Sequence, residues 1–485
     1  MTQLALRVVR ATLAASLGFA APALVAAQTT GGIEAGVQFD FSLPGARSLG
    51  MGGAFVSVAD DATAAQANPA GLVALSKPEL GVEGRGWNFF SSLPSTGHAF
   101  GSPTNIGVDT VSDLQFNELK DTNFSAGLIS LVYPTEKWAV SVYRHQFVNF
   151  TNRISGDGPF RTSGADVERF NPTRGQIDLD IVSYGGSAAV RLGDNLSVGA
   201  GVGFYQFEID VINQAFLVRP NGVVLAPGLR QLFTGSGQQF GPPDFSAANV
   251  GFEQQQSGKD NALAFNAGFL WHNDKWSVGG AYRQGPEFEY SSRFLIGPAF
   301  ASQGLTPGSE IQGATPVQFH VPDSFALGTS YRVNDALRLN VEYDFVRYSE
   351  LLNGDGDGRP VETTGKFSRF ADAQARFEGE QLVRYLTVDD ANQLRVGGEW
   401  IVRTGDPILA VRFGTWYDPD HRQRFENPDP TNRVLQSYEI GLPKGENEVH
   451  VAAGLGVALS RFRIDGAFDI SPRINTFSIS SVFYW

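Results

Sequence analysis

The sequence predicts an all-β fold: a transmembrane antiparallel β-barrel of about fourteen strands with an N-terminal hatch in its lumen. Three observations predict it. Apolar and polar residues alternate with a period of two through much of the chain. Short turns interleave with long polar connections. After an N-terminal leader, no apolar run approaches the roughly 18 residues a spanning helix requires.

The leader comes first. Arg7 and Arg10 precede an apolar stretch from Ala11 to Leu24, and Val25-Ala26-Ala27 offers small residues for cleavage. Residues 1–27 therefore read as a secretory signal peptide, 28–77 as a hatch, and 78–485 as a barrel with long extracellular loops. Cysteine is absent, which excludes a lipoprotein anchor, disulfides, thiolate metal sites and cysteine nucleophiles. A formal net charge of −13 argues against nucleic acid as a partner. Glycine (56) and phenylalanine (37) are abundant while methionine (2) is scarce, which suits strands and turns.

The wall strands follow. Leu196, Val198, Ala200, Val202 and Phe204 share a face opposite Ser197, Gly199, Gly201 and Gly203. Leu337, Leu339, Val341, Tyr343 and Phe345 oppose Arg338, Asn340, Glu342 and Asp344. In a barrel the apolar face meets lipid and the charged face lines the interior. On that reading Arg338, Glu342, Asp344, Arg395, Glu399, Arg403, Arg461, Arg463 and Asp465 face inward, pairing with one another and with Arg47, Asp60 and Asp61. Candidate strands include 195–211, 260–271, 275–295 and 316–331. Turns at Pro134–Lys137, Gly193–Asn195, Asn273-Asp274 and Asn334-Asp335 alternate with long connections at 91–122, 151–175, 212–259, 296–315, 350–391 and 418–445. Such alternation is what tight turns at one end and long loops at the other produce. Trp138, Trp276, Trp400 and Trp416 are candidates for interfacial girdles. The closing strand, with Phe477, Ile479, Phe483 and Trp485 on one face, resembles the signal that hands barrels to their insertion machinery.

Among the loops, 212–259 is rich in apolar residues. Phe216, Leu217, Leu229, Leu232 and Phe233 form a candidate ligand-binding set, flanked by Arg219 and Arg230. Gly185-Gly186 and Pro322 mark places where a wall strand could kink. The run Asn353-Gly354-Asp355-Gly356-Asp357-Gly358 resembles a calcium loop but lacks the distal glutamate, and reads as a hydrophilic tip. Six scattered histidines form no His-Glu-x-x-His pair, so no metal site is expected.

The segment between leader and wall is distinctive. Gly50-Met51-Gly52-Gly53 lacks the third glycine of a dinucleotide fingerprint and the Gly-Lys-Ser/Thr of a phosphate loop. No Gly-x-Ser-x-Gly elbow occurs. Instead, Asp60 or Asp61 can cap a helical turn over Ala62–Ala67, which Asn68-Pro69 ends.

Gly45-Ala46-Arg47-Ser48-Leu49-Gly50-Met51-Gly52-Gly53-Ala54-Phe55, with Asp60-Asp61 and Asn68-Pro69-Ala70-Gly71-Leu72, resembles the N-terminal hatch of the FadL/OmpP1/TodX family. The resemblance implies a hatch-plugged, fourteen-stranded barrel in the bacterial outer membrane. It implies passive uptake of long-chain fatty acids or aromatic hydrocarbons by capture at the outer loops, hatch rearrangement and sideways exit into the bilayer. No cofactor and no enzymatic activity are implied; the expected partners are a hydrophobic small molecule, outer-membrane lipid and the insertion machinery. A similar run opens PorV-like barrels that serve protein secretion, and the motif leaves that alternative open.

Overall fold

Alternating side chains force a strand to have two faces, and fourteen such strands close here into one wall. The computed structural model describes residues 42–163, 166–217, 223–226, 230–234, 241–352, 386–431, 439–440 and 444–485. The wall strands are β1 (Glu79–Thr96), β2 (Gln115–Pro134), β3 (Trp138–Gly156), β4 (Thr173–Arg191), β5 (Leu196–Phe216) and β6 (Val250–His272). Strand β7 has two segments, β7a (Trp276–Arg283) and β7b (Glu287–Ile296), as does β8, with β8a (Glu310–His320) and β8b (Ser324–Arg332). The wall continues with β9 (Leu337–Val346), β10 (Ala391–Arg403) and β11 (Ile408–Asp418). It ends with β12 (Glu448–Ala458), β13 (Phe462–Ile470) and β14 (Ile474–Tyr484). Neighbours pair antiparallel in chain order, and β14 pairs β1 from Glu79↔Tyr484 to Phe89↔Ile474, which closes the cylinder. Among the described residues no helix is long and apolar enough to cross a membrane.

Every one of the fourteen strands presents a large apolar side chain outward near its turn end. Leu80, Leu131, Val142, Tyr184, Phe204 and Phe269 are examples on β1 to β6, and Trp276, Leu327, Val341, Trp400, Phe413, Leu455, Ile464 and Phe477 on β7 to β14. A continuous apolar belt of this extent has no place in water, so it marks the lipid-facing band. Trp138, Trp276, Trp400 and Trp485 are exposed on it; Trp416 is buried instead, donating its indole N–H to Asp469 at 2.9 Å.

Strands β1 to β6 run far beyond that belt. β5 has 21 residues and β6 has 23, against about 9–11 for one crossing. In their loop-end halves the polarity of the two faces is exchanged while the alternation continues. On β5, Leu196, Val202 and Phe204 point out, and then Gln206, Glu208 and Asp210 take the outward positions. The inward positions pass from Ser197 to buried Tyr205, Phe207, Ile209 and Val211. β4 does the same: Asp178 and Asp180 look out while Ile177, Leu179 and Ile181 look in. A charged exterior belongs in water, so this half of the barrel stands clear of the hydrocarbon and encloses an apolar interior.

The exchange shortens the loops expected at 91–122, 151–175 and 212–259, because much of each is strand. The alternation of short and long connections is also incomplete, since Ser471–Arg473 at the loop end is a tight turn. Segments of the first three loops add a separate five-stranded sheet. Its order is His98–Phe100, Phe160–Ser163, Asp166–Phe170, Arg230–Thr234 and Val223–Ala226.

Candidate functional site

The N-terminal segment packs against the inward face of the turn-end half of the wall. It contains α1 (Ala46–Gly50), α2 (Ala64–Ala67) and a 3-10 turn at Pro69–Ala74. Gly52 and Gly53 take positive φ values of 63° and 78°, which few other residues tolerate. Wall glycines let its backbone approach closely. A Cβ on Gly414 would lie 2.3 Å from the Gly52 nitrogen, and one on Gly199 would lie 2.5 Å from the Pro69 carbonyl carbon. Much of the barrel's glycine is explained in this way.

Local capping differs in detail from the sequence expectation. Asp61, not Asp60, supports the helical turn, accepting the Thr63 backbone N–H at 3.0 Å. The helix begins at Ala64 and stops at Asn68, whose extended backbone precedes Pro69. The Asn68 side chain then accepts the Ala70 N–H at 3.2 Å, and its amide donates to the carbonyls of Val56 (2.9 Å) and Phe269 (3.0 Å). One asparagine thus ends a helix, starts a 3-10 turn and ties both to the wall.

Charges join segment and wall. Arg47 donates to Glu399 (2.9 and 3.1 Å) and pairs with Asp60. Arg463 donates to Asp61 at 2.6 Å and to Asp465 at 2.7 Å. Arg412 bridges Glu399 and Asp465, each at 2.8 Å. Glu342 accepts the backbone N–H groups of Phe55 (2.6 Å) and Val56 (2.7 Å). Arg395 pairs with Asp344 and donates to the Gly52 carbonyl at 3.3 Å, while Arg338 lies 3.6 Å from Asp60. Of the expected lumen charges, Arg461 and Arg403 are the exceptions: both are exposed at the turn end. Strand β13 begins only at Phe462, so Arg461 sits in the turn and reaches water.

Burial alone would raise the Asp61 carboxyl, but Arg463, Arg47 and Thr63 together hold it well below the usual carboxylate range. A lowered folded-state pKa contributes stability that is complete above the ordinary value and is lost as pH falls through the lowered one. We expect thermal unfolding in detergent to shift little between pH 7 and pH 5 on account of this group and to weaken below about pH 4. Asp61→Asn should unfold at lower temperature at pH 7 and lose that part of the acid dependence, as read by tryptophan fluorescence. An Asp61→Asn melting curve identical to the parent's at both pH values would contradict this.

Beyond the segment, the loop-end interior is a different environment. Trp87, Phe89, Phe150, Ile177, Leu179, Ile181, Phe207, Ile209, Phe288 and Tyr290 form one buried apolar cluster. Phe207 is at its centre, stacked on Phe288 (centroids 4.7 Å, 14°) and 5.8 Å from Phe319. Phe89 meets Phe150 edge-on at 5.0 Å.

The wall beside this interior is not continuous. The β2–β3 ladder ends at Leu128↔His145, although β2 extends to Gln115 and β3 to Gly156. A bulge interrupts the β3–β4 register between Gln146 and Val148. Beyond it the two strands are bridged by side chains, with Asp121 accepting the Arg153 N–H at 3.0 Å and Asn117 donating to the Ser155 carbonyl at 3.2 Å. A second interruption lies on β7 and β8. Pro322 does fall at a break, between β8a and β8b, whereas Gly185 and Gly186 sit in unbroken pairing on both sides. There the missing side chains leave room for the Tyr143 ring, 2.4 Å from where a Gly185 Cβ would lie.

Of the candidate ligand-binding set, Phe216 and Leu217 are buried at the loop end, with Phe216 edge-on to Phe245 at 5.1 Å. Arg230, Leu232 and Phe233 lie on one strand of the separate sheet. Arg219, Leu229, the Asn353–Gly358 run and the signal peptide lie outside the described residues. His320, Asp323 and Glu350 come within 4.8 Å of one another, a grouping the sequence did not reveal. Arg347 already supplies the cation there, 2.6 Å from Glu350.

A family profile described as outer membrane protein transport protein (OMPP1/FadL/TodX) matches residues 171–424, just over half of the chain. Among solved structures, a FadL homologue of Pseudomonas aeruginosa is similar at 14% identity and TM-score 0.59, covering 92% of this chain and 99% of that one. The toluene transporter TodX of P. putida is similar at 11% identity and TM-score 0.52, with coverage of 92% and 99%. The toluene transporter TbuX of Ralstonia pickettii is similar at 14% identity and TM-score 0.51, with coverage of 91% and 97%. No curated protein sequence matches.

Proposed function

Because the chain belongs to the OMPP1/FadL/TodX family of outer-membrane transport proteins, we propose that it carries small hydrophobic molecules passively from the cell surface into the outer membrane. The family and fold are those of transport channels, not enzymes. The single observation that carries the reading is the inward-facing apolar cluster around Phe207, held above the water-exposed end of the belt. An apolar solute leaving water gains about 25 cal/mol per Å2 buried, and this interior offers that gain outside the bilayer.

The N-terminal segment acts as the hatch. Its ion pairs and close-fitting backbone fill the turn-end lumen, where Arg47, Glu399, Arg412 and Asp465 make a poor path for hydrocarbon. Exit is therefore sideways, where the β2–β3 ladder stops at Leu128↔His145. Phe147, Val148 and Phe150 line the inner side of that split, and Phe124 is largely exposed on its outer side. Flat stacking at Phe207 favours aromatic hydrocarbons over fatty acids as substrates.

Deletion of the gene is expected to slow growth on toluene at limiting concentration several-fold, with a smaller effect on oleate, and the cloned chain should restore it. Secreted-protein profiles should not change. Equal growth of deletion and parent strains on both carbon sources, with an altered set of secreted proteins, would replace uptake by the secretion reading.

A further inference from the structure

The break in β7 and β8 frees one hairpin from its neighbours. β7a pairs with β6 over Asn266–His272, and β7b pairs with it again only over Phe252–Ser257. Between them, Gly258–Phe265 of β6 has no ladder partner on that side. On the hairpin's other flank, β8a pairs among the described residues only with β7b; β9 ends at Val346, opposite Ser324 of β8b. Among the described residues, then, the lower half of the β7b–β8a hairpin is held by no ladder except its own.

What holds it is a small polar cluster at the two break points. Gln284–Pro286 and Val321–Asp323 touch each other: the Val321 N–H donates to the Pro286 carbonyl at 3.0 Å, and a Cβ on Gly285 would lie 1.6 Å from the Val321 oxygen. Asp323 accepts the Gly285 N–H (2.8 Å) and the Tyr282 hydroxyl (2.7 Å). Its own N–H donates to Glu350 at 2.7 Å, and Arg347 pairs with Glu350 at 2.6 Å. Both breaks thus lie at one level, so one cluster holds both strands of the hairpin. Above it, the hairpin places Phe288 and Tyr290 against Phe207 in the apolar interior.

We propose that the β7b–β8a hairpin is a gate. It keeps Phe288 and Tyr290 where an incoming aromatic ring would stack on Phe207, and the Tyr282–Asp323–Glu350–Arg347 cluster is its latch. This rests on the uptake reading above. The hairpin's own rings hold the interior closed when it is empty, and a ligand ring replaces their contacts as they swing aside. Opening breaks the latch and the stack, while the ladder between Phe252–Ser257 of β6 and the upper half of β7b stays as the hinge, which is why the lower half of this hairpin and not its neighbours can move.

The chain has no cysteine, so engineered thiols report without background. Asp260 accepts the Glu289 N–H at 2.7 Å across the unpaired interval, and Asp260→Cys/Glu289→Cys can be joined by a short bifunctional methanethiosulfonate. Uptake of radiolabelled toluene by cells carrying the pair should fall at least tenfold on cross-linking and return on reduction. Spin labels at Gln206→Cys and Glu289→Cys should give one distance in the resting protein. A second, longer distance should appear with toluene or with Asp323→Ala. Unchanged uptake after cross-linking, in cells whose unlinked protein carries toluene, overturns the gate and leaves the uptake reading standing. A parent protein that carries no toluene overturns both.

Discussion

Replacing Ile209 by aspartate is expected to abolish toluene uptake while leaving the barrel assembled. Ile209 faces inward on β5, paired with Leu179 on one side and Gly258 on the other, within the apolar cluster. A carboxylate there sits among apolar side chains, so it draws in water or stays protonated. Either outcome removes the dry surface against which a hydrocarbon gains its binding energy. Losing about 1.4 kcal/mol already costs tenfold in occupancy, and a charged group should cost more than that. Ile209→Leu, which conserves volume, should transport normally. Heat-modifiable gel mobility checks that both variants form barrels. An assembled Ile209→Asp protein that still carries toluene would show that the solute travels elsewhere.

The second large effect is expected at Glu399. Its carboxylate accepts from Arg47 of the N-terminal segment and from Arg412 of the wall, both with side chains nine-tenths buried or more. Glu399→Ala leaves two desolvated guanidiniums short of a counter-charge. Breaking a buried pair from one side costs about 3–5 kcal/mol. Asp60, Asp61 and Asp465 still serve the two arginines, so the lower end of that range applies. The loss should appear as weaker seating of the segment before it appears as loss of the wall, whose ladders are untouched. In planar bilayers the variant should open to larger conductances than the parent, with Glu399→Gln in between. Parent-like conductance and parent-like melting in Glu399→Ala would mean that these charges do not hold the N-terminal segment in place.

The wall was legible in the sequence because alternation is a property of each strand alone. Leu196 to Phe204 announces both the strand and its lipid face. What a period of two cannot say is which face meets lipid further along. Gln206, Glu208 and Asp210 stand in phase with Phe204 yet carry the opposite polarity, and that mismatch was the available signal for the apolar interior. Read without it, the loop-end halves of the strands pass for polar loops. The local turns of the N-terminal segment were readable for a related reason, since Asn68, Pro69 and Asp61 act on neighbours a few residues away. Arg461 was misplaced because strand parity was carried one residue past the strand's start. The Tyr282–Asp323–Arg347–Glu350 cluster joins three separate stretches and has no signature in any one of them.

The contacts of the N-terminal segment also bear on how the protein is assembled. Arg463 of β13 grips Asp61, and Ser480 of β14 accepts the Ala46 N–H at 3.2 Å, partners separated by 402 and 434 positions along the chain. Residues early in the chain are therefore anchored by residues near its end. Until β13 and β14 arrive and β14 zips to β1, the segment around Ala46 and Asp61 lacks these partners, so completing the seam and seating the segment become a single event.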